Sequence, residues 1–293
     1  MPFLVFGAMV VATWALVRRP LPALGRLGRR VAKRAAGLAL RGGPFRRLLE
    51  TRRPLYGRFQ PYVPVALFAA AGLATALAAG VAFLHIAELL QEESALLDEL
   101  DRGLARQARG LRNDASTRFF LAAAWLGQGW TLAAIVAAVA ALLAARGKYR
   151  WAAYLVTTSS LGGLLNFALK THYRRARPDV SEAIYLARGY SFPSGHAMGA
   201  VVVFGALAYL ACRHFRDPEL RALALSLAFC LIVAISASRV YLGVHWLSDI
   251  SAGAVAGALW VVTTTASYEG VRRLYALRRA LTEAASKAAP TAP

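Results

Sequence analysis

Hydrophobic residues in this chain of 293 residues gather into long runs, which alternate with short polar segments. Six of the runs have about the length that a helix needs to cross a bilayer, roughly 20 residues. They cover residues 62–86, 119–145, 151–169, 197–212, 222–238 and 246–268. The pattern predicts an all-α polytopic membrane protein with a six-helix transmembrane bundle.

Two segments before the first span have a different pattern. Residues 2–17 form a short apolar run followed directly by Arg18 and Arg19, which reverses the charge order of a cleaved signal peptide. We predict a membrane anchor there, with an interfacial segment as the alternative. Residues 18–58 hold thirteen basic residues and one acidic residue, with apolar positions three and four apart. This is typical of a basic amphipathic helix on an anionic membrane surface.

The polar stretch at 88–118 has a leucine spacing that predicts a second amphipathic helix, outside the bilayer. The chain therefore divides into an N-terminal anchor with its basic segment (1–60), a transmembrane domain (61–270) and a basic tail (271–293). The end of the tail is rich in Ala, Thr and Pro, and we expect the tail to be disordered.

Composition excludes an ordinary soluble domain, because 58% of the residues are apolar and only 17% are charged. The net charge is +20, but the basic residues lie between apolar runs, so anionic lipid rather than nucleic acid is the predicted partner. One set of alternate loops holds 24 basic and 5 acidic residues, and the other holds 11 and 10. The positive-inside rule therefore directs the polar segments at 170–196 and 239–245 outward, away from the cytoplasm.

The first polar cluster of that outer side follows the third span and runs from Lys170 to Pro178. In a helix, Lys170 and Arg177 are seven residues apart and share a face. Four cations at an outer helix end are disfavoured by the positive-inside bias, and snorkelling explains only one of them. Anion binding is the preferred interpretation.

The second cluster, Ser191 to His196, lies directly before an apolar helix. Ser194 is a suitable N-cap, and Gly195 lets a ligand approach the backbone closely. The free N–H groups and the positive end of the helix dipole would suit an anion. A simple capped helix start, with His196 on the surface, explains this cluster equally well.

The third cluster runs from Ser238 to Asp249. His245 and Asp249 are four residues apart, which in a helix places the carboxylate within hydrogen-bond reach of the imidazole. An Asp at the start of an apolar span is costly, and a His oriented by a carboxylate is a candidate nucleophile or base. A structural His–Asp pair is the alternative.

Together the clusters supply three cations for phosphate oxygens, namely Lys170, Arg177 and Arg239, with a helix N-terminus, two histidines and one carboxylate. Phosphoryl transfer needs this neutralisation of charge and groups in line for attack and departure. No acidic cluster that would hold magnesium accompanies them. We therefore expect metal-independent catalysis and no cofactor.

These motifs resemble the signature of the type 2 phosphatidic acid phosphatase superfamily. They are Lys-x6-Arg-Pro at 170–178, Pro-Ser-Gly-His at 193–196 and Ser-Arg-x5-His-x3-Asp at 238–249, without departure at a signature position. Three parts in this order make a specific match, whereas the tetrapeptide alone would be weak. The resemblance covers residues 62–268 and implies a six-helix membrane bundle with the site at its outer rim.

The resemblance also implies a role for each site residue. His245 would attack phosphorus and form a phosphohistidine, with Asp249 orienting it, and His196 would act as the general acid and then the general base. The phosphoryl oxygens would be bound by Lys170, Arg177, Arg239, Ser194 and Gly195.

The expected function is hydrolysis of a lipid phosphate or diphosphate, with undecaprenyl diphosphate, phosphatidate and phosphatidylglycerol phosphate all admissible. Composition rich in Ala and Arg suggests a bacterial chain in the inner membrane, with the site facing the periplasm or exterior. A vanadate-dependent haloperoxidase shares the anion site but is soluble. A lipid transporter or scaffold with a vestigial site would not need His245, His196 and Asp249 together.

Overall fold

The computed structural model describes residues 2–18, 63–92, 94–178 and 183–288. Over these residues it contains α-helices and no strand, which confirms the predicted all-α fold. The helices are α1 (Pro2–Arg18), α2 (Val63–Gln91), α3 (Ala95–Gly110), α4 (Asp114–Leu126), α5 (Gly129–Ala145), α6 (Tyr149–Tyr173), α7 (Gly195–His214), α8 (Pro218–Tyr241) and α9 (Leu247–Ala288).

Five of these helices, α2, α6, α7, α8 and α9, are long and apolar enough to cross a membrane. The pair α4 and α5 makes a sixth span if the two are counted as one, since they are separated by a short break and bent by 56°. The predicted six spans therefore match the helices of the described residues one by one, and the protein is a membrane protein.

The bend in the second span lies at Gly127, which ends α4. A Cβ atom at this position would lie 2.4 Å from the Ile235 side chain and 3.0 Å from the His196 ring, so only glycine lets α4 approach this closely. Thr131 compensates for the broken helix by donating its hydroxyl to the Trp125 carbonyl at 2.8 Å. The sequence predicted one unbroken helix at 119–145, because an apolar run does not reveal where a helix bends.

Helix α7 lies at the centre of the bundle and packs against α5, α6, α8 and α9. Two glycines bring α9 close to it: a Cβ at Gly253 would lie 2.6 Å from the Ser194 carbonyl oxygen, and one at Gly257 would lie 2.9 Å from Val201. Small residues on one face are the usual means of close helix packing in membranes. As a result, the first turns of α7 and α9 lie side by side at one end of the bundle, which we call the site end.

Helix α1 runs antiparallel to α8. Phe6 packs against Phe119 near the site end, with ring centroids 6.1 Å apart, and Trp14 donates to the Glu219 carbonyl at the opposite end. A helix of 17 residues is about 25 Å long. Its alignment beside a span agrees with the predicted anchor rather than with an interfacial segment.

The predicted amphipathic helix within 88–118 is present as α3, which packs Leu104 and Ala108 against Val240 and Ile250. The basic helix predicted at 18–58 lies outside the described residues, apart from Arg18. The division of the chain at residues 60 and 270 stays a prediction.

The expectation of a disordered tail is wrong for most of its length, since α9 continues from Leu247 to Ala288. Alanine, leucine and arginine favour helix, and two ion pairs join successive turns, Glu269–Arg272 with a buried carboxylate and Arg279–Glu283 on the surface. These local contacts extend the helix beyond its apolar part.

Candidate active site

The imidazole of His245 lies in the short loop between α8 and α9 and is only 2% exposed. Its Nδ1 is 3.2 Å from the Asp249 carboxylate, and its Nε2 is 3.1 Å from the Arg177 guanidinium. Arginine can only donate, so Nε2 must be the acceptor and Nδ1 carries the proton. The ring therefore has its Nε2 lone pair directed at a cation, in the tautomer that a nucleophile needs.

Four donors hold the carboxylate of Asp249, which lies in the first turn of α9 and is fully buried. One oxygen accepts from His245, from the Trp246 backbone N–H at 2.9 Å and from the Ser191 hydroxyl. The other accepts from the Arg175 guanidinium at 2.7 Å. A buried charge requires such partners, and together they fix the orientation of the group that orients His245.

Burial lowers the pKa of His245 to about 4. The hydrogen bond and the charge of Asp249 raise it, and the charges of Arg177 and Arg239 lower it. Desolvation outweighs the carboxylate because the ring has almost no contact with solvent. The imidazole is accordingly neutral at physiological pH.

Three cations predicted for phosphate binding, Lys170, Arg177 and Arg239, converge on this loop, and their charges interact with one another. Their hydrogen-bond partners are neutral: Lys170 donates to the Tyr190 carbonyl at 2.7 Å, Arg177 to the carbonyls of residues 188, 189 and 244, and Arg239 to the Tyr185 hydroxyl. Among the described residues no ion pair compensates these three charges. The result is a positive site suited to an anion.

Arg239 is the most confined of the three cations, at 2% exposure on the last turn of α8. Its Nε atom is buried and has no hydrogen-bond partner among the described residues. A buried, unpartnered guanidinium N–H is costly unless a ligand accepts from it. This atom is therefore a candidate donor to a bound anion.

The first turn of α7 faces the same region. Ser194 is the N-cap, accepting from the Ala197 N–H, and its own N–H donates to the Asp249 carbonyl at 2.9 Å. A Cβ at Gly195 would lie 2.9 Å from Asn166 Oδ1 and 3.6 Å from Lys170 Cε. Glycine therefore admits the Asn166 side chain, and Lys170 lies in ordinary contact beside the helix N-terminus, where an anion is favoured.

His196 also belongs to that first turn, and its charge interacts with those of Arg239 and His245. The ring hydrogen-bonds the backbone of Ala124. Its Nε2 is buried without a hydrogen-bond partner in the described part of the chain. The second histidine thus has one ring nitrogen fixed by the bundle and the other available for a ligand.

Two local expectations are wrong, although the residues do meet. Helix α6 ends at Tyr173, and Arg174 takes the left-handed conformation with φ of 50°. Arg177 therefore lies in the following loop rather than on one helical face with Lys170. His245 likewise precedes α9, which begins at Leu247, and meets Asp249 across the helix start.

The structure adds residues that the sequence did not single out as part of the site: Ser191, Tyr185, Arg175, Ser248 and Asp101. Arg175 and Ser191 belong to the polar clusters, so their position was a weak signal. Asp101 lies on an amphipathic helix, where an acidic residue is usually solvated, and its sequence context gave no signal.

Comparison with known proteins agrees with this arrangement. Residues 151–273 match the family model of the PAP2 superfamily, which is the predicted type 2 phosphatidic acid phosphatase superfamily. Phosphatidylglycerophosphatase B of Bacillus subtilis (strain 168) is 34% identical over 113 residues, which cover 38% of this chain and 54% of that protein. The chain thus matches about half the length of this curated relative.

A solved structure is similar over a larger part of the chain. The crystal structure of a transmembrane PAP2-type phosphatidylglycerolphosphate phosphatase from Bacillus subtilis has a TM-score of 0.60, with 24% sequence identity, 65% of this chain and 94% of that chain covered. At this identity the comparison shows a common fold. Residues 151–273 are therefore similar in sequence to the PAP2 superfamily, and the chain shares a fold with a solved phosphatase of that type.

Proposed function

We propose that this protein is a lipid phosphate phosphatase that works through a phosphohistidine on His245. One observation carries the proposal: His245 has Nδ1 against Asp249 and Nε2 directed at Arg177, beside three cations that form no ion pair with a carboxylate of the described residues. Phosphoryl transfer to nitrogen requires a nucleophile with a fixed tautomer beside cations that can bind the phosphoryl oxygens.

In the first step, Nε2 of His245 attacks phosphorus, and a P–N bond forms as the bond to the leaving oxygen breaks. Lys170, Arg177 and Arg239 bind the equatorial oxygens, with the Gly195 N–H, as charge develops. His196 donates a proton to the leaving oxygen. Asp249 stabilises the positive charge that His245 acquires on attack.

In the second step, water attacks the phosphohistidine, and the now neutral His196 accepts its proton. The P–N bond breaks, inorganic phosphate leaves, and the electron pair of that bond returns to His245 Nε2. The residues present supply the nucleophile, acid, base and charge stabilisation, so the proposal includes no metal ion.

A lipid substrate is supported by a groove of about 620 Å³ that begins beside the proposed site. Gly195, His196 and Asn166 line its upper part, and it continues between α5, α6 and α7 to Val156 and Ala137. Most of the deeper lining residues are apolar, apart from Ser159 and Ser160, and Val156 and Ala137 are exposed on the outside of the bundle. An acyl chain could remain in this groove while its phosphate reaches His245.

Phosphatidylglycerol phosphate is our first candidate substrate, because the curated relative and the solved structure both carry that activity in their names. Phosphatidate and undecaprenyl diphosphate are the other candidates. The excess of basic residues at the opposite end of the bundle supports a site on the outer face of the bacterial inner membrane.

Two other functions fit less well. A vanadate-dependent haloperoxidase would use the same anion donors, but such proteins are soluble and this chain has membrane-spanning helices. A transporter or scaffold would need the spans and the basic surface, but not the fixed tautomer of His245.

The test is release of inorganic phosphate from the three candidate lipids in EDTA, by purified wild type and by His245→Ala. We expect turnover by wild type, none by the variant, and an acid-labile phosphoenzyme in wild type alone. His172→Ala is the matched control, since His172 is an exposed histidine on the nearby end of α6. Full activity in His245→Ala would reject the nucleophile, and lipid movement without hydrolysis would indicate a transporter.

A further inference from the structure

Asp101 is a buried acid on a helix that is otherwise largely exposed. It lies in α3, is 2% exposed, and is the one buried residue of that helix. A carboxylate is rarely buried without strong partners, because removing its charge from water is costly. The side chain faces the bundle, towards the first turn of α9.

Three donors satisfy the Asp101 carboxylate. One oxygen accepts from the Ser248 backbone N–H at 2.8 Å, and the other accepts from the Ser248 hydroxyl and from the Arg175 guanidinium at 3.0 Å. The N–H of Ser248 is one of the free donors at the start of α9. Asp101 therefore caps α9 from a different helix, with a charge that the helix dipole favours.

Arg175 connects this cap to the proposed catalytic centre. One of its terminal nitrogens donates to Asp101, and the other donates to Asp249 and to the Ser248 hydroxyl, both at 2.7 Å. The planar guanidinium therefore bridges two carboxylates, one on α3 and one on α9. Asp249 in turn holds His245.

We infer that Asp101 is a positioning residue that acts through Arg175 on Asp249, so that α3 helps set the orientation of the His245 nucleophile. This inference rests on the proposed function. Asp101 does not contact His245, Arg177 or the other proposed phosphate donors, so it would affect the attack and not the binding of phosphate.

Charge balance explains why a second carboxylate is needed. His245 and Asp249 are surrounded by Lys170 from α6, Arg175 and Arg177 from the loop after it, His196 from α7 and Arg239 from α8. Asp101 and Asp249 both accept hydrogen bonds from Arg175. Without Asp101, one terminal nitrogen of the guanidinium would lose its acceptor. The Asp249 oxygen that Arg175 holds would then be less firmly restrained, although three other donors still hold the second oxygen. Even a small displacement of a catalytic group is costly.

The test compares Asp101→Asn with Asp98→Asn. Asp98 is a matched control on the same helix, since it is exposed and, within the described part of the chain, forms its ion pair with Arg102 at the surface. We expect Asp101→Asn to lower kcat about 10- to 100-fold with KM within about twofold of wild type, and Asp98→Asn to change neither. The amount of phosphoenzyme trapped per mole of protein and the Tm are measured for each variant. Together they distinguish folded protein that reacts slowly from a sample in which less protein is folded.

A double-mutant cycle tests the route through Arg175. We expect Arg175→Gln to lower kcat. Adding Asp101→Asn to that variant should lower kcat by less than about a further threefold, because both substitutions break the same contact. The inference would be overturned if the kcat loss of the double variant equalled the product of the two single losses. It would also be overturned if Asp101→Asn were as active as Asp98→Asn. Those outcomes require an active wild type, whereas a wild type without phosphatase activity would reject the proposed function itself.

Discussion

The nucleophile proposed here depends on which nitrogen of His245 carries the proton. Arg177 leaves Nε2 as an acceptor, and Asp249 accepts from Nδ1, so both neighbours favour one neutral tautomer. Burial favours the neutral ring as well. Arg177, Asp249 and the burial of the ring therefore act together. The cation that would bind the phosphate also keeps Nε2 of His245 unprotonated.

A pH profile tests this arrangement. Because the pKa of His245 is lowered to about 4, the ring is deprotonated at any higher pH, and the acid limb of kcat/KM should lie near pH 4 rather than near 6.5. The measurement uses a soluble phosphate monoester in detergent, corrected for the titration of the substrate. Asp249→Asn removes the influences that raise this pKa, so its limb should move to lower pH and kcat should fall. A limb near 6.5 in wild type would contradict the buried, neutral nucleophile.

Single residues of the site differ in how far the sequence could reveal them. Lys170, His196 and His245 belong to motifs with fixed spacing, and the structure brings them together as expected. Asp101 and Ser248 are 147 positions apart, and their contact exists only because α3 folds against α9. Periodicity identifies a helical face, but it does not reveal which face meets a distant polar group.

Helix ends, more than helix positions, shape the site. All six spans were predictable from apolar length, but the end of α6 at Tyr173 depends on the left-handed Arg174, whose N–H donates to the Lys170 carbonyl at 3.1 Å. Because the helix ends there, Arg177 lies in the following loop, beside His245. The break at Gly127 similarly leaves room for the His196 ring, and no pattern of apolar residues contains that information.

The groove between α5, α6 and α7 is proposed to hold the lipid chain, and a substitution in α6 tests this. A Cβ at Gly163 meets no atom within 4 Å, so Gly163→Leu should fold normally and fill the groove. We expect hydrolysis of a long-chain lipid phosphate to fall about tenfold, while a short-chain soluble phosphate is hydrolysed at the wild-type rate.

The control for this variant is Gly7→Leu in α1, where a side chain also meets open space but lies away from the groove. It should hydrolyse both substrates like wild type. Equal loss on long and short substrates in Gly163→Leu, or no loss on either, would exclude the groove as the site of the lipid chain.

For the whole molecule, the family match at residues 151–273 does not contain the complete site. The Ala124 backbone holds His196, and Asp101 caps α9, and both belong to helices that precede the matched region. The motifs thus supply the reacting groups, while the earlier helices supply their support. This division explains why the proposed reacting groups could be identified from the sequence, whereas the helices that support them could not.

Orientation in the membrane is the remaining property of the whole molecule, and it follows from charge: we expect the site end to face outward, because the basic residues concentrate at the other end. A cysteine at Leu186, which is 76% exposed in the loop before α7, should react with an impermeant maleimide on intact spheroplasts. The matched cysteine at Arg216, in the loop between α7 and α8, should react only after lysis. Cys212 is replaced by Ser in both variants to lower the background, since Cys230 is buried. The reverse labelling pattern would place the site in the cytoplasm and exclude hydrolysis at the outer leaflet.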